Sequence, residues 1–143
     1  MLVKHILGVK GREVVAIAAD ASLSEAARLL ARKRIGAVVV RDASGMLAGI
    51  LSERDVVRAV AEGSVSALAR PVSAYMTRAV ATCGETDTIE DLMEMMTIGR
   101  FRHVPVLDGG MITGMISIGD VVKTRIEETE QEATTLRAYI TAA

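Results

Sequence analysis

Two serine–aspartate pairs share one spacing and one setting: Gly49-Ile50-Leu51-Ser52-Glu53-Arg54-Asp55 and Gly114-Met115-Ile116-Ser117-Ile118-Gly119-Asp120. The plainest role for Ser-x-x-Asp is a helix cap, in which hydroxyl and carboxylate satisfy the free amides of the first turn. The same arrangement suits the recognition of a ligand. A helix start is an anion site, through its free N–H groups and the positive end of its dipole. There a serine hydroxyl suits a phosphate oxygen, and an aspartate can accept from the two hydroxyls of a ribose. In both copies Gly stands three residues before the Ser, where it permits close approach by a ligand or by another strand. Cations recur nearby: Arg32, Lys33, Arg34 and Arg54 in the first copy, Arg100, Arg102 and His103 in the second. A phosphate would draw them together, while a solvated helix end would explain Arg32 and Lys33 equally well.

The elements that must position these pairs are themselves duplicated. The Ser–Asp segments are 65 residues apart, and upstream the offset is 66, so that Arg34 falls on Arg100, Val38 on Val104 and Val40 on Val106. Leu23, Ala26, Ala27 and Leu30 lie at i, i+3, i+4, i+7, as do Ile89, Leu92, Met93 and Met96, and each set makes one apolar helix face. A cap signal precedes each helix, Ser22 with Glu25 and Thr88 with Asp91. After each helix comes a β-branched run (Ala37 to Val40, His103 to Val106), a glycine-containing turn and a second strand (Leu47 to Leu51, Ile112 to Ile116). Strands near Val14 to Ala18 and Val80 to Cys83 precede the helices. The expectation is an α+β fold of two β-α-β-β-α repeats. Residues 1–61 form the first repeat with an N-terminal helix, 62–78 a linker, 79–125 the second repeat and 126–143 a helical extension. One such unit buries too little alone. A pseudo-twofold pair covers both sheets and leaves two equivalent clefts between the repeats.

Composition narrows the function. The chain has 143 residues, half of them apolar and only 2% aromatic, so its core must be built from Ala, Val, Ile, Leu and Met. The net charge of -1 lacks the basic excess by which phosphate neutralisation drives nucleic-acid binding. Cys83 is the one cysteine, which excludes an intrachain disulfide and a cysteine-based zinc knot. No apolar run approaches the roughly 18 to 20 residues of a membrane span, and a cytoplasmic location is expected. No Walker A loop and no strand-linked GxGxxG is present, nor any nucleophile beside an evident base, so no enzyme activity is expected. The eight Met read as adaptable core filler.

The order, spacing and duplication of Ile35-Gly36-Ala37-Val38-Val39-Val40, Arg100-Phe101-Arg102-His103-Val104-Pro105-Val106 and the two Gly-to-Asp segments, with Tyr75-Met76-Thr77 before the second copy, resemble a pair of cystathionine-β-synthase (CBS) domains, the Bateman module. The likeness runs from about Val3 to Lys123. It implies a disc-like pair with ligands in the inter-repeat clefts. Asp55 and Asp120 would hold ribose, and Ser52 and Ser117 would lie on the phosphate side. Ile35, Gly36, Ala37 and Val38, with His103, Val104 and Pro105, would frame adenine, and Ala16 and Thr82 would pack on the base. Arg54 would serve the first site. Ile118-Gly119 replaces Glu53-Arg54 in the second, which therefore lacks that Arg, and Arg102 and His103 are the candidates to compensate. The resemblance implies a sensor of AMP, ADP, ATP, NAD or S-adenosylmethionine, acting as a homodimer with no catalytic cofactor or metal. The alternative is a ligand-free scaffold that dimerises or regulates a partner protein, its Ser–Asp pairs serving only as caps.

Beyond Asp120 the chain runs without Gly or Pro, and Ile126, Ala133 and Ile140 stand seven apart with Leu136 between the last two. This is one apolar stripe on a long helix, facing either its own repeat or a second chain.

Overall fold

A computed structural model of the chain describes residues 1–142. In chain order the elements are α1 (Val3–Lys10), β1 (Ala16–Ala18), α2 (Leu23–Lys33), β2 (Ala37–Arg41), β3 (Leu47–Ser52), α3 (Glu53–Gly63), two 3-10 turns (Val65–Ala69, Val72–Ala74), α4 (Ile89–Gly99), β4 (His103–Asp108), β5 (Met111–Ser117) and α5 (Ile118–Ala142). The α+β duplication is observed. In each repeat a capped helix leads to an antiparallel strand pair, and a second helix follows that pair directly.

Local chemistry accounts for the helix ends. The Ser22 hydroxyl accepts from the Glu25 amide at 3.1 Å, and the Thr88 hydroxyl accepts from the Asp91 amide at 3.1 Å. At their far ends α2 and α4 stop on Arg34 and Arg100, both in the left-handed region at φ 54° and 57°. A residue with a Cβ is strained there, and glycine is the usual choice. Leu23, Ala26 and Leu30 are buried from α2, and Ile89, Leu92 and Met96 from α4, as their spacing requires.

The strand registers repeat as well. Ala37 pairs with Ser52 and His103 with Ser117, so each Ser is held opposite the first residue of the preceding strand. Both ladders slip at equivalent positions, between Val40 and Arg41 and between Val106 and Leu107. The first sheet has a third strand, β1, parallel to β2. Its counterpart, expected over Val80 to Cys83, is reduced to one parallel bridge between Cys83 and Val106. Only Cys83 keeps register, its amide donating to Pro105 O at 3.0 Å and its carbonyl accepting from Leu107 N at 2.9 Å. Val80 is drawn into a tight turn on Arg78 O, which carries the chain away from β4.

Each repeat completes its core with a segment that precedes the other. Val3, Ile6 and Leu7 of α1 pack with Ile89, Leu92, Met96, Val104, Val106, Ile116 and Val121. Ala67, Val72 and Met76 pack with Leu23, Ala26, Leu30, Val38, Val40, Leu51 and Ala59. The N-terminal helix, expected with the first repeat, therefore packs on the second. The backbone bonds match pair by pair: Val3 N to Asp87 O and Lys4 N to Glu85 O answer to Val72 N to Ala21 O and Ser73 N to Ala19 O. This crossing explains the two glycines before the serines. A Cβ on Gly114 would lie 2.6 Å from Leu7 Cδ2, and one on Gly49 2.6 Å from Thr77 O and 2.8 Å from Met76 Sδ. A packed chain segment is thus one visitor that the spacing left open.

Candidate functional site

Both Ser–Asp pairs form complete capping arrangements. At α3 the Ser52 amide and hydroxyl donate to Asp55 Oδ2 at 2.8 and 3.1 Å, and the Asp55 amide donates back to Ser52 Oγ at 3.3 Å. At α5 the Ser117 amide and hydroxyl each donate to Asp120 Oδ2 at 2.9 Å, with the return bond at 3.2 Å. The first amide of each helix is also used in the same way: Glu53 N donates to Gly36 O, and Ile118 N to Arg102 O.

The two aspartates differ in their cation. Arg58, on the same helix, donates to Asp55 Oδ1 at 2.7 Å, and Asp55 is only 5% exposed. Lys10, from the crossing helix α1, donates to Asp120 Oδ2 at 2.6 Å and to Met115 O at 2.6 Å. Burial pushes the Asp120 carboxyl up. The Lys10 hydrogen bond, the Ser117 amide and the Lys10 charge outweigh it and hold Asp120 below the usual carboxylate range.

A cleft of about 270 Å³ lies over the start of α3. Gly36, Ala37, Ile50, Ser52, Glu53, Arg54 and Asp55 form one wall, Thr77 and Ala79 to Ala81 a second, and Arg100, Phe101, Arg102 and His103 the third. Three guanidinium groups and an imidazole thus meet one capped helix start. Arg102 and His103, expected to compensate the second site, line this first cleft together with Arg54, because the second repeat's helix-to-strand turn faces the first repeat's helix start. His103 reaches the first repeat, its ring 3.5 Å from where a Cβ on Gly36 would be. Burial lowers its basicity and Lys10 lowers it further, against the opposing pull of Asp120 and Glu53.

The remaining residues expected at the sites lie elsewhere. Val38 and Val104 are fully buried in the two cores and Pro105 is buried beside Val104. Alternation along a strand sends the neighbours of Ala37 and His103 to the opposite face. Ile35 lines a separate, more open depression with Lys10, Gly11, Glu13, Val15 and Lys33. Ala16 stands in β1 next to Val15, and Thr82 beside Ala81, without lining the main cleft. Ser117 and Asp120 line neither hollow. The residues not foreseen are Ile50, Glu53, Thr77, Ala79 to Ala81, Phe101 and Lys10. A 69-residue offset relates the crossing segments, so that Leu7 answers to Met76 and Lys10 to Ala79, and it was the signal available for Lys10.

Among the described residues no cluster of His, Cys, Asp and Glu could hold a metal ion, and no helix is long and apolar enough to cross a membrane. Cys83 is buried, and burial with the nearby Asp87 charge pushes its thiol up to about 12. It is a core residue and a poor nucleophile at neutral pH.

A duplicated α+β unit, each half capped at the strand-to-helix turn and completed by the other half's leading segment, defines a tandem-repeat pair. The chain belongs to the CBS domain family, whose model matches residues 3–62 and 72–127. It is 52% identical to a CBS-domain-containing protein of Agrobacterium tumefaciens, whose crystal structure superposes with a TM-score of 0.84 over 87% of this chain and 92% of that one. It is 28% identical to a CBS domain protein of Pyrobaculum aerophilum solved in complex with AMP, with a TM-score of 0.76 over 84% of this chain and 89% of that one. A mitochondrial CBS domain-containing protein of Arabidopsis thaliana is 36% identical over 127 residues, 85% of this chain. The chain spans 61% of that relative's length, and 22% of a longer Arabidopsis relative.

Proposed function

We propose that this chain is a regulatory module that takes one adenine mononucleotide, in the cleft between the start of α3 and the Arg100–His103 turn. The observation that carries the reading is the meeting of Arg54, Arg100, Arg102 and His103 with the Ser52–Asp55 cap in one cleft, in a chain whose net charge is -1. Guanidinium forks suit phosphate oxygens. Asp55 would accept from the ribose hydroxyls as the exposed Arg58 side chain swings aside. Adenine would lie against Ile50, Ala79 and Val80, which give the cleft its apolar wall. The AMP held by the Pyrobaculum relative supports the class of ligand. The size of the cleft, just below the roughly 300–1,000 Å³ usual for small-molecule sites, favours AMP, ADP or ATP over NAD, and the cations favour them over S-adenosylmethionine.

The second Ser–Asp pair stays empty in this reading, because the Lys10 ammonium stands where ribose hydroxyls would bind. Titration calorimetry of protein stripped of carried-over ligand, against AMP, ADP, ATP, NAD and S-adenosylmethionine, tests the whole reading. One site per chain, lost in Arg100→Ala/Arg102→Ala and kept in Asp120→Asn, is the expected result. Lys10→Ala is expected to add a second, weaker site. No heat and no thermal shift at millimolar nucleotide would leave the caps as caps, and the module as a ligand-free scaffold.

A further inference from the structure

Helix α5 runs for 25 residues, yet only Val121 and Thr124 of it are buried. At 1.5 Å per residue it is about 37 Å long, and beyond Glu128, whose carboxylate meets the Met1 ammonium at 3.0 Å, it stands free of its own repeat. Along it Val122, Ile126, Thr129, Ala133, Leu136 and Ile140 alternate in steps of four and three, the d-to-a and a-to-d steps of a heptad. The four aliphatic residues of this stripe are between 49% and 64% exposed. At 100° per residue, the stripe points about 130° away from Val121 and Thr124, the face that rests on the domain. An incoming helix therefore meets the stripe without striking the repeat pair.

The charges beside the stripe choose the occupant. With Ile126 at position a, the g positions are Arg125, Glu132 and Tyr139, and the e positions are Lys123, Glu130 and Arg137. In a parallel pair of these helices each g residue faces the e residue five further along the other chain. That sets Glu132 against Arg137, and Arg125, which within the chain lies 3.5 Å from Glu128 and 3.8 Å from Glu90, against Glu130, both attractive and twice over by symmetry. In an antiparallel pair with the stripes in full overlap, e faces e and g faces g. Glu130 then meets Glu130, Glu132 meets Glu132, and Lys123 meets Arg137. The same helix is thus complementary to itself in one direction and self-repelling in the other.

We propose that α5 is a parallel, in-register dimerisation helix that joins two copies of this chain and sets both repeat pairs at the same end of a short coil. The stripe is under three heptads, and Thr129 and Ala133 weaken its middle, so the dimer dissociates on dilution. The proposal is independent of any nucleotide and is tested without one.

The experiment is sedimentation of the full chain over a dilution series at low salt. Leu136→Glu and Ile140→Glu, at exposed positions that leave the fold intact, are expected to give monomer. Arg137→Glu sets two like charges against Glu132 and should weaken the dimer about tenfold, and adding Glu132→Arg should restore it. Ile140→Cys should form an interchain disulfide under mild oxidation, because equivalent residues face each other only in the parallel pair. A chain that is monomeric at all concentrations, or a dimer untouched by Leu136→Glu, overturns the proposal. So does a dimer that Arg137→Glu strengthens and Ile140→Cys fails to link, which is the antiparallel outcome.

Discussion

The starts of α3 and α5 carry the same serine–aspartate cap, bond for bond, and differ in what lies across from it. Asp55 is paired with Arg58 of its own helix at 2.7 Å and borders an open cleft with three arginines. Opposite Asp120 is a lysine, already in contact at 2.6 Å. The cap is local: a Ser, an Asp three residues on and a helix suffice to make it, so duplication reproduces it faithfully. The cleft is assembled from segments far apart in the chain, and there the aligned positions differ, Lys10 against Ala79 and Gly119 against Arg54. A repeat motif therefore specifies the cap twice, while the walls around each cap are set by segments outside the motif.

The contrast can be strained most heavily at the two glycines. Gly49→Ala forces a Cβ onto the Thr77 carbonyl and the Met76 sulfur, and should cost about 3 kcal/mol in denaturant unfolding, whereas Gly114→Ala meets only the Leu7 side chain and should cost about 1 kcal/mol. Equal costs would mean that the two crossing segments are equally yielding. Next comes charge: Arg102→Ala should weaken nucleotide binding about 30-fold, the equivalent of about 2 kcal/mol for a charged hydrogen bond, with little change in unfolding. An Arg100→Gly variant opposes the two effects, since glycine relieves the left-handed backbone by about 1 kcal/mol while the cleft loses a cation. A higher unfolding midpoint with poorer binding is expected, and an unchanged affinity would remove Arg100 from the site.

The smallest effect is in pH. His103 has its basicity lowered in the folded state, so its contribution is complete above the unfolded value near 6.5 and declines as pH falls below it. Asp120 is also lowered, and its contribution holds above the unfolded carboxylate value near 3.9 and is lost as pH falls through the folded one. Unfolding midpoints measured from pH 7 to pH 3 should thus show two shallow steps. His103→Gln should flatten the upper and Asp120→Asn the lower.

Much of this architecture is legible in residue order, because it is set by short-range rules. Ser22 and Thr88 start their helices as caps do, and the faces of α2 and α4 follow the apolar spacing to the residue. The Ser–Asp pairs open α3 and α5 where they stand in the sequence. What escapes is long-range. Nothing local tells that Leu7 belongs beside Gly114, so α1 reads as part of the nearer repeat. Val38 and Val104 sit in the same short runs as Ala37 and His103, yet the pleat turns them into the cores. The Val80–Cys83 strand has the right composition and loses its partner to one tight turn. Of the first cleft, the Ser52, Arg54 and Asp55 side is readable from the motif. Its far wall, Thr77 to Ala81, needs the offset of the crossing segments before it can be placed.

The crossing has a consequence for how the chain is made. During synthesis α1 emerges well before β4 and β5, the strands it must cover, so Val3, Ile6 and Leu7 stay without a core until most of the chain has followed. The first repeat needs Ala67, Val72 and Met76, which follow α3 directly in the chain. The first core closes within residues 15–76, whereas the second needs α1 from the start of the chain, so its completion rests on contacts distant in sequence, which are slow to form. A protease cut between α3 and the first 3-10 turn would leave two fragments that each hold the other's missing piece, and recovery of structure on mixing them would register that exchange directly.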